Sequence, residues 1–208
     1  NTPDCFAARV EYTTARFPNH PAVIFEGQTL TWSELNAQAN RYAAALSAQG
    51  LKRGDAVSLI MENRIEFLAT IIALNKLGVI AALINTNLTG KPLIHCINIT
   101  QSRMCIFGEE QLAATASVRS EPELEGIENW LFVGDKKQES CPEWALDLDQ
   151  EATGKSTGNP PQTGENTLAD TALYIYTSGT TGLPKASVIS NRRYLLASAM
   201  SYKGGLKC

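Results

Sequence analysis

Four short apolar runs separated by helix-patterned segments constrain this chain more than any other feature. They are "AVSLIM" (56–61), "VIAALI" (79–84), "RMCIFG" (103–108) and "NWLFVG" (129–134). None alternates polar with apolar residues, as a strand with one wet face would. Between them, "RIEFLATIIALNKLG" (64–78), "GKPLIHCINITQ" (90–101) and "EQLAATAS" (110–117) read as helices, the first turning Ile65, Leu68 and Ile72 inward. Strands apolar on both sides must be covered on both sides, and a strand–helix–strand order supplies the cover as crossovers. The expectation is an α/β fold with a mostly parallel sheet flanked by helices. The window "FLATIIALNKLGVIAALI" (67–84) is apolar, but Asn75, Lys76 and Gly78 divide it, so it reads as a buried helix and then a strand rather than a membrane span.

Upstream, Thr2-Pro3 has the look of an N-cap with proline at the first helical position, with Phe6, Val10 and Phe17 on the buried side. "PAVIFEGQTLTW" reads as a hairpin turning at Glu26-Gly27-Gln28. Thr31 and Glu34 form a capping-box pattern, Leu35, Ala39, Tyr42 and Leu46 one helical face, and Gly50 a stop. From Asp135 to Asp170 periodicity disappears, and "ATGKSTGNPPQTGEN" is rich in turn formers. The organisation expected is an α/β subdomain over 1–134, a polar linker or long loop over 135–170, and a strand–loop–strand–helix unit over 171–208. In that last unit "TALYIYT" (171–177) and "KASVIS" (185–190) are strands. "NRRYLLASAMSY" (191–202) is a helix capped by Ser190 or, preferably, Asn191. The sheet is expected to be unfinished at this end.

Charge and cysteine usage exclude several classes. With 18 basic and 21 acidic residues and no block of one sign, no electrostatic footprint for nucleic acid exists. Cys5, Cys96, Cys105, Cys141 and Cys208 form no C-x-x-C pair, and their odd number argues against a disulfide framework. Idle thiols in a reducing cytoplasm are the expectation. His20 and His95 are too few for a histidine metal site, and no metal ligand is assigned. Residues 1–20 contain no signal-peptide core.

Two stretches compete as phosphate loops. In "EATGKSTG" (151–158), Gly154-Lys155-Ser156 matches the end of a Walker A motif, but Asp149 stands where its first glycine belongs. Acidic "LDLDQE" precedes it and no helix pattern follows, so it reads as a solvated loop. In "YTSGTTGLPK" (176–185), Gly179 and Gly182 let the backbone approach a ligand closely. Thr177, Ser178, Thr180 and Thr181 add hydroxyl donors, Lys185 adds a cation, and no Asp or Glu lies between Asp170 and Cys208. From these residues alone two readings stand: an anion nest for a polyphosphate, or an ordinary Gly/Thr-rich hairpin.

"YTSGTTGLPK" also resembles the signature loop of the adenylate-forming superfamily, which comprises acyl-CoA synthetases, luciferases and adenylation domains. The stretch from "LTWSELNAQANRYAAAL" to "LINTNL" is similar to that superfamily's N-terminal region. "LINTNLTGKPLIHCI" and "PKAS", with Ala186 in place of the usual glycine, are most similar to its fatty acid transport protein branch, the very-long-chain acyl-CoA synthetases. The resemblance implies a two-step ligase. Fatty acid and ATP give acyl-AMP and pyrophosphate with Mg²⁺ assistance, and CoA then displaces AMP. It implies that Thr177, Ser178, Gly179, Thr180, Thr181, Gly182 and Lys185 hold the β- and γ-phosphates, Lys185 acting in catalysis. Asn191 stands near where the superfamily often has histidine. The superfamily's later motifs for adenine, ribose and the small domain do not occur, so the expectation is an N-terminal part of a longer enzyme, inactive alone. Another carboxylate substrate, or a non-catalytic module serving homodimer or peripheral membrane contact, remains open.

Overall fold

The computed structural model describes residues 4–136, 138–177 and 183–204, with side chains as far as Met200. Helix α1 (Phe6–Arg16) starts at Cys5, whose sulfur accepts from Ala8 N–H at 3.3 Å. Cys5, a residue not read from sequence as a cap, is thus the N-cap, and Thr2-Pro3, where a cap was expected, lies outside the described residues. Phe6 and Val10 are buried as expected, but Phe17 is the residue that ends the helix, and it is exposed. Strands β1 (Pro21–Phe25) and β2 (Gln28–Thr31) form the hairpin. Its two-residue turn sets Glu26 and Gly27 at φ of 47° and 79°, the left-handed pair that matches strand twist. Thr31 and Glu34 complete both hydrogen bonds of the capping box of α2 (Trp32–Ala48). Leu35, Ala39, Tyr42 and Leu46 are all buried, and Gly50 follows the helix at φ 88°.

The alternating region folds as β3 (Ala56–Ile60), α3 (Ile65–Lys76), β4 (Ile80–Leu83), α4 (Gly90–Ile99), β5 (Met104–Gly108), α5 (Leu112–Val118) and β6 (Asn129–Val133). Then come β7 (Leu146–Asp147), α6 (Leu148–Ala152), β8 (Thr171–Thr177), β9 (Lys185–Ser190) and α7 (Asn191–Gly204). Among the described residues β3 to β9 form one seven-stranded sheet in the order β7-β6-β5-β3-β4-β8-β9. Every neighbouring pair is parallel except β8 with β9. Successive strand residues feed opposite faces. Val57, Leu59 and Met61 pack with α1, α2, α3, α6 and α7, while Ile60, Cys105 and Phe107 pack with α4 and α5. That two-sided cover is why the strands read as unbroken apolar runs. The divided window 67–84 is α3 and β4, and no helix among the described residues is long and apolar enough to cross a membrane.

Residues 135–170 differ from a free linker. Leu146–Asp147 adds a strand to β6, and Leu148 and Ala152 are buried against the helical face. Asparagines fix the remainder. Asn159 accepts from Asn36 (2.9 Å), Asn40 (3.0 Å) and the fully buried Lys76 (3.3 Å). Asn166 donates to the Asn75 carbonyl (2.7 Å) and accepts from Arg53 (3.0 Å). Gly78 allows this approach, since a Cβ there would lie 2.7 Å from Asn166 Oδ1. Because β8 pairs with β4, the strands after this segment extend the same sheet.

The last helix brings a second correction. Ser190 caps α7, its Oγ accepting from Arg193 N–H at 3.3 Å. Asn191 lies buried inside the helix start, where it accepts from Asn75 Nδ2 (3.1 Å) and donates to the Thr167 carbonyl (3.0 Å). Cys5, Cys96 and Cys105 are buried free thiols, and desolvation pushes their pKa values up, Cys96 to about 11. They are chemically quiet.

Candidate functional site

In an open parallel sheet, ligands gather outside the carboxyl ends of the strands, where neighbouring strands send their connections to opposite faces. Here β3 exits into α3 on one face, and β4 exits into α4 on the other. At that point a cleft of about 530 Å³ opens between the strand ends, lined by Met61, Glu62, Phe67, Ile84, Asn85 and Thr86. The next strand past β4 is β8, so Thr177 ends β8 at the same carboxyl edge.

The antiparallel pairing of β9 brings the residue that begins it back to this edge. Thr177 and Lys185 are paired Cα partners at the mouth of the antiparallel β8–β9 ladder, and both side chains are exposed. Lys185 forms no ion pair among the described residues. The ladder thus presents a hydroxyl and an ammonium on either side of one opening, toward solvent. Ser178, Gly179, Thr180, Thr181 and Gly182, the other residues read from sequence as phosphate ligands, lie outside the described residues. No carboxylate occurs anywhere from Thr171 to Cys208, so the donor set suits an anion.

A second recess, reaching from Glu62 at the end of β3 toward the ends of β5 and β6, is acidic. Glu62, Glu109, Glu110, Asp135 and Glu139 line this recess of about 480 Å³. Their main members serve the scaffold. Glu109 accepts from the backbone N–H groups of Asp135 (2.6 Å), Gln138 (2.5 Å) and Glu139 (2.8 Å). Glu110 takes the buried Arg64 guanidinium (2.5 Å) and the Glu62 N–H (2.7 Å). This recess, with five carboxylates against Lys136, is the more acidic of the two settings. Among the described residues no group of three or more His, Cys, Asp or Glu has metal-binding geometry.

The rival loop has neither setting. Gly154-Lys155-Ser156 follows the short helix α6 rather than a strand, and the following residues run to Asn159 and the α2 surface. Sequence reasoning did not find two contacts at the roots of the Thr177–Lys185 loop. His95 Nε2 lies 3.0 Å from the Pro184 carbonyl, and Tyr176 donates to the Cys96 carbonyl at 2.5 Å. Their partners are 80 to 89 residues away, beyond any local pattern.

A mostly parallel sheet of this order with helices on both faces defines an α/β fold class. The family model described as "AMP-binding enzyme" matches residues 10–207, and the chain belongs to that family. It is 35% identical over 189 residues to long-chain fatty acid transport protein 6 of Mus musculus, covering 89% of this chain and 29% of that protein. It is 33% identical over 193 residues to the medium/long-chain-fatty-acid–CoA ligase FadD6 of Mycobacterium tuberculosis, covering 93% of this chain and 30% of that one. The chain therefore spans under a third of the length of these relatives. Among solved structures, the anthranilate CoA ligase AuaEII in complex with anthranoyl-AMP superposes with a TM-score of 0.85 at 24% identity, covering 94% of this chain and 36% of that one. The N-terminal domain of FACL13 from Mycobacterium tuberculosis gives 0.78 at 25% identity, over 90% and 44%.

Proposed function

We propose that this chain is the phosphate-gripping N-terminal part of an AMP-forming fatty acyl-CoA ligase, acting on long-chain or very-long-chain fatty acids with ATP and CoA. The observation that carries the reading is the facing pair Thr177 and Lys185, both exposed at the carboxyl edge of the sheet, in a stretch from Thr171 to Cys208 that holds no Asp or Glu. The substrate class is supported by the names of the relatives at 33–35% identity.

In this reading Lys185 sets a full positive charge against the β/γ-phosphates and the departing pyrophosphate. The Thr177, Ser178, Thr180 and Thr181 hydroxyls, with the backbone N–H groups around Gly179 and Gly182, orient the phosphate oxygens. Such donors act by positioning and charge neutralisation, which is most of what phosphoryl-type chemistry needs from a protein. Bound Mg²⁺ would supply further charge neutralisation, and the donor set of this loop, lacking carboxylates, fits a metal carried by the nucleotide. In this reading Thr177 to Lys185 bind and orient one end of ATP, so the chain alone is expected to bind phosphate without completing adenylation.

The test is ATP–pyrophosphate exchange by the protein that carries this chain, with fatty, aryl and amino acids as alternative carboxylates. Fatty acids are expected to drive exchange. Exchange driven only by aryl or amino acids rejects the substrate class, and Lys185→Ala with unchanged ATP kinetics rejects the site.

A further inference from the structure

The two strand ends that carry Thr177 and Lys185 are both tied to one turn of α4. On the β8 side, Tyr176 donates its hydroxyl to the Cys96 carbonyl at 2.5 Å. Carbonyls in the last turn of a helix need partners outside it, and Cys96 lies near the C-terminal end of α4. On the β9 side, Pro184 has no N–H to give the ladder and only a carbonyl to be satisfied. That carbonyl lies 3.0 Å from His95 Nε2. A carbonyl can only accept, so the contact is a hydrogen bond when Nε2 carries the proton.

His95 and Cys96 are consecutive, so a single turn of helix grips both roots. The helix is a firm support. Leu93, Cys96 and Ile97 are completely buried, and hydroxyl contacts extend from Tyr176 through Thr100 and Ser102 to Ser58 in β3. Desolvation raises the Tyr176 pKa to about 12, so the phenol remains a donor across the physiological range. The grip has a purpose on β9. Among the described strands β9 is at the sheet edge, paired only with β8, and the terminal residues of an edge strand fray most readily. Lys185 is its first residue.

We propose that His95 is a positioning residue for Lys185. By holding the Pro184 carbonyl while Tyr176 holds β8, it fixes the start of β9 and sets the lysine ammonium opposite Thr177 for a phosphate group. The role as stated rests on the phosphate reading above, and the experiment separates the two. Hydrogen–deuterium exchange over 185–190 is measured without ligand, and inorganic pyrophosphate affinity by calorimetry. Both are done for the 208-residue chain, for His95→Ala, for His95→Gln, whose side-chain amide can still donate, and for Asn98→Ala on the exposed side of α4.

His95→Ala is expected to speed exchange at the start of β9 and to weaken pyrophosphate binding about three- to tenfold, the scale of one hydrogen bond, with Tm held. His95→Gln is expected to restore both, and Asn98→Ala to leave both unchanged. Unchanged exchange in His95→Ala overturns the grip. Faster exchange with unchanged pyrophosphate affinity overturns the positioning role and leaves His95 a scaffold residue. Absence of pyrophosphate binding by the unsubstituted chain rejects the phosphate reading, while the exchange data still decide whether His95 holds the strand.

Discussion

Residues 153–167 and residues 176–185 are made of similar material, small, hydroxylic and glycine-rich with one lysine near a glycine, yet the fold uses them in opposite ways. The first is fastened to the helical layer by Asn159 and Asn166, which reach Asn36, Asn40, Lys76, Asn75 and Arg53. The second meets the scaffold at its roots through Tyr176 and Pro184, and it leaves Thr177 and Lys185 exposed at the carboxyl edge of the sheet. Composition is a poor guide to a phosphate loop. Under the proposed function the neighbouring element decides, because a strand ending at the carboxyl edge leaves donors free for a ligand, whereas a loop laid along helices is consumed by the scaffold.

The largest effect is expected beside the first region at Asn75, which is buried, takes Asn166 on its backbone carbonyl and ties α1 and α7 to α3 with its side chain. It accepts from Ala7 N–H at 3.0 Å, donates to Asn191 and accepts through its carbonyl from Asn166. Asn75→Ala leaves the Ala7 N–H and Asn191 Oδ1 without these partners. At about 1–3 kcal/mol for each buried group left unsatisfied, chemical denaturation is expected to show a loss of roughly 2–4 kcal/mol. A loss below about 0.5 kcal/mol would show that the Asn75 side chain does not tie α1 and Asn191 to α3 as described.

Lys185→Ala tests the other side. A charge-assisted contact contributes about 1.5–3 kcal/mol, so pyrophosphate affinity is expected to fall about ten- to hundredfold with little change in Tm. Lys155→Ala, at the rival lysine, is expected to leave pyrophosphate affinity unaltered and stability within about 0.5 kcal/mol.

The smallest effect concerns pH. Burial outweighs the Glu11 partner and lowers the Lys76 pKa below its usual value. The unfolded chain then binds this proton more tightly than the folded one. Stability therefore gains as pH rises through the depressed folded value toward the ordinary lysine range, and the gain is lost again as pH falls through it. Lys76→Met removes that dependence, so the stability difference between the parent chain and Lys76→Met is expected to move in favour of the parent on passing from pH 7 to pH 10. A parallel pair of stability curves would contradict the assignment.

What could be read from residues alone follows from how local each signal is. Strands β3 to β6 and their helices were legible because each is apolar over its own length, and the capping box and Gly50 because their partners lie within a few residues. Leu146–Asp147 was not, since a two-residue strand has no period to detect. The fastening asparagines looked like loop formers because their partners lie across the molecule. Asn191 looked like a cap for the same reason, while Ser190 beside it does the capping. At the candidate site the loop and Lys185 were legible as a motif. Their register with Thr177, and the support from His95, required the sheet.

The central claim is that phosphate binds between Thr177 and Lys185 and not at Gly154-Lys155-Ser156. Amide chemical-shift mapping during titration of the chain with inorganic pyrophosphate tests it most directly. Shifts concentrated on the amides of 177–186, with Gly154 to Gly158 unmoved, are the expected result; shifts centred on Gly154, Lys155 and Ser156 would contradict it.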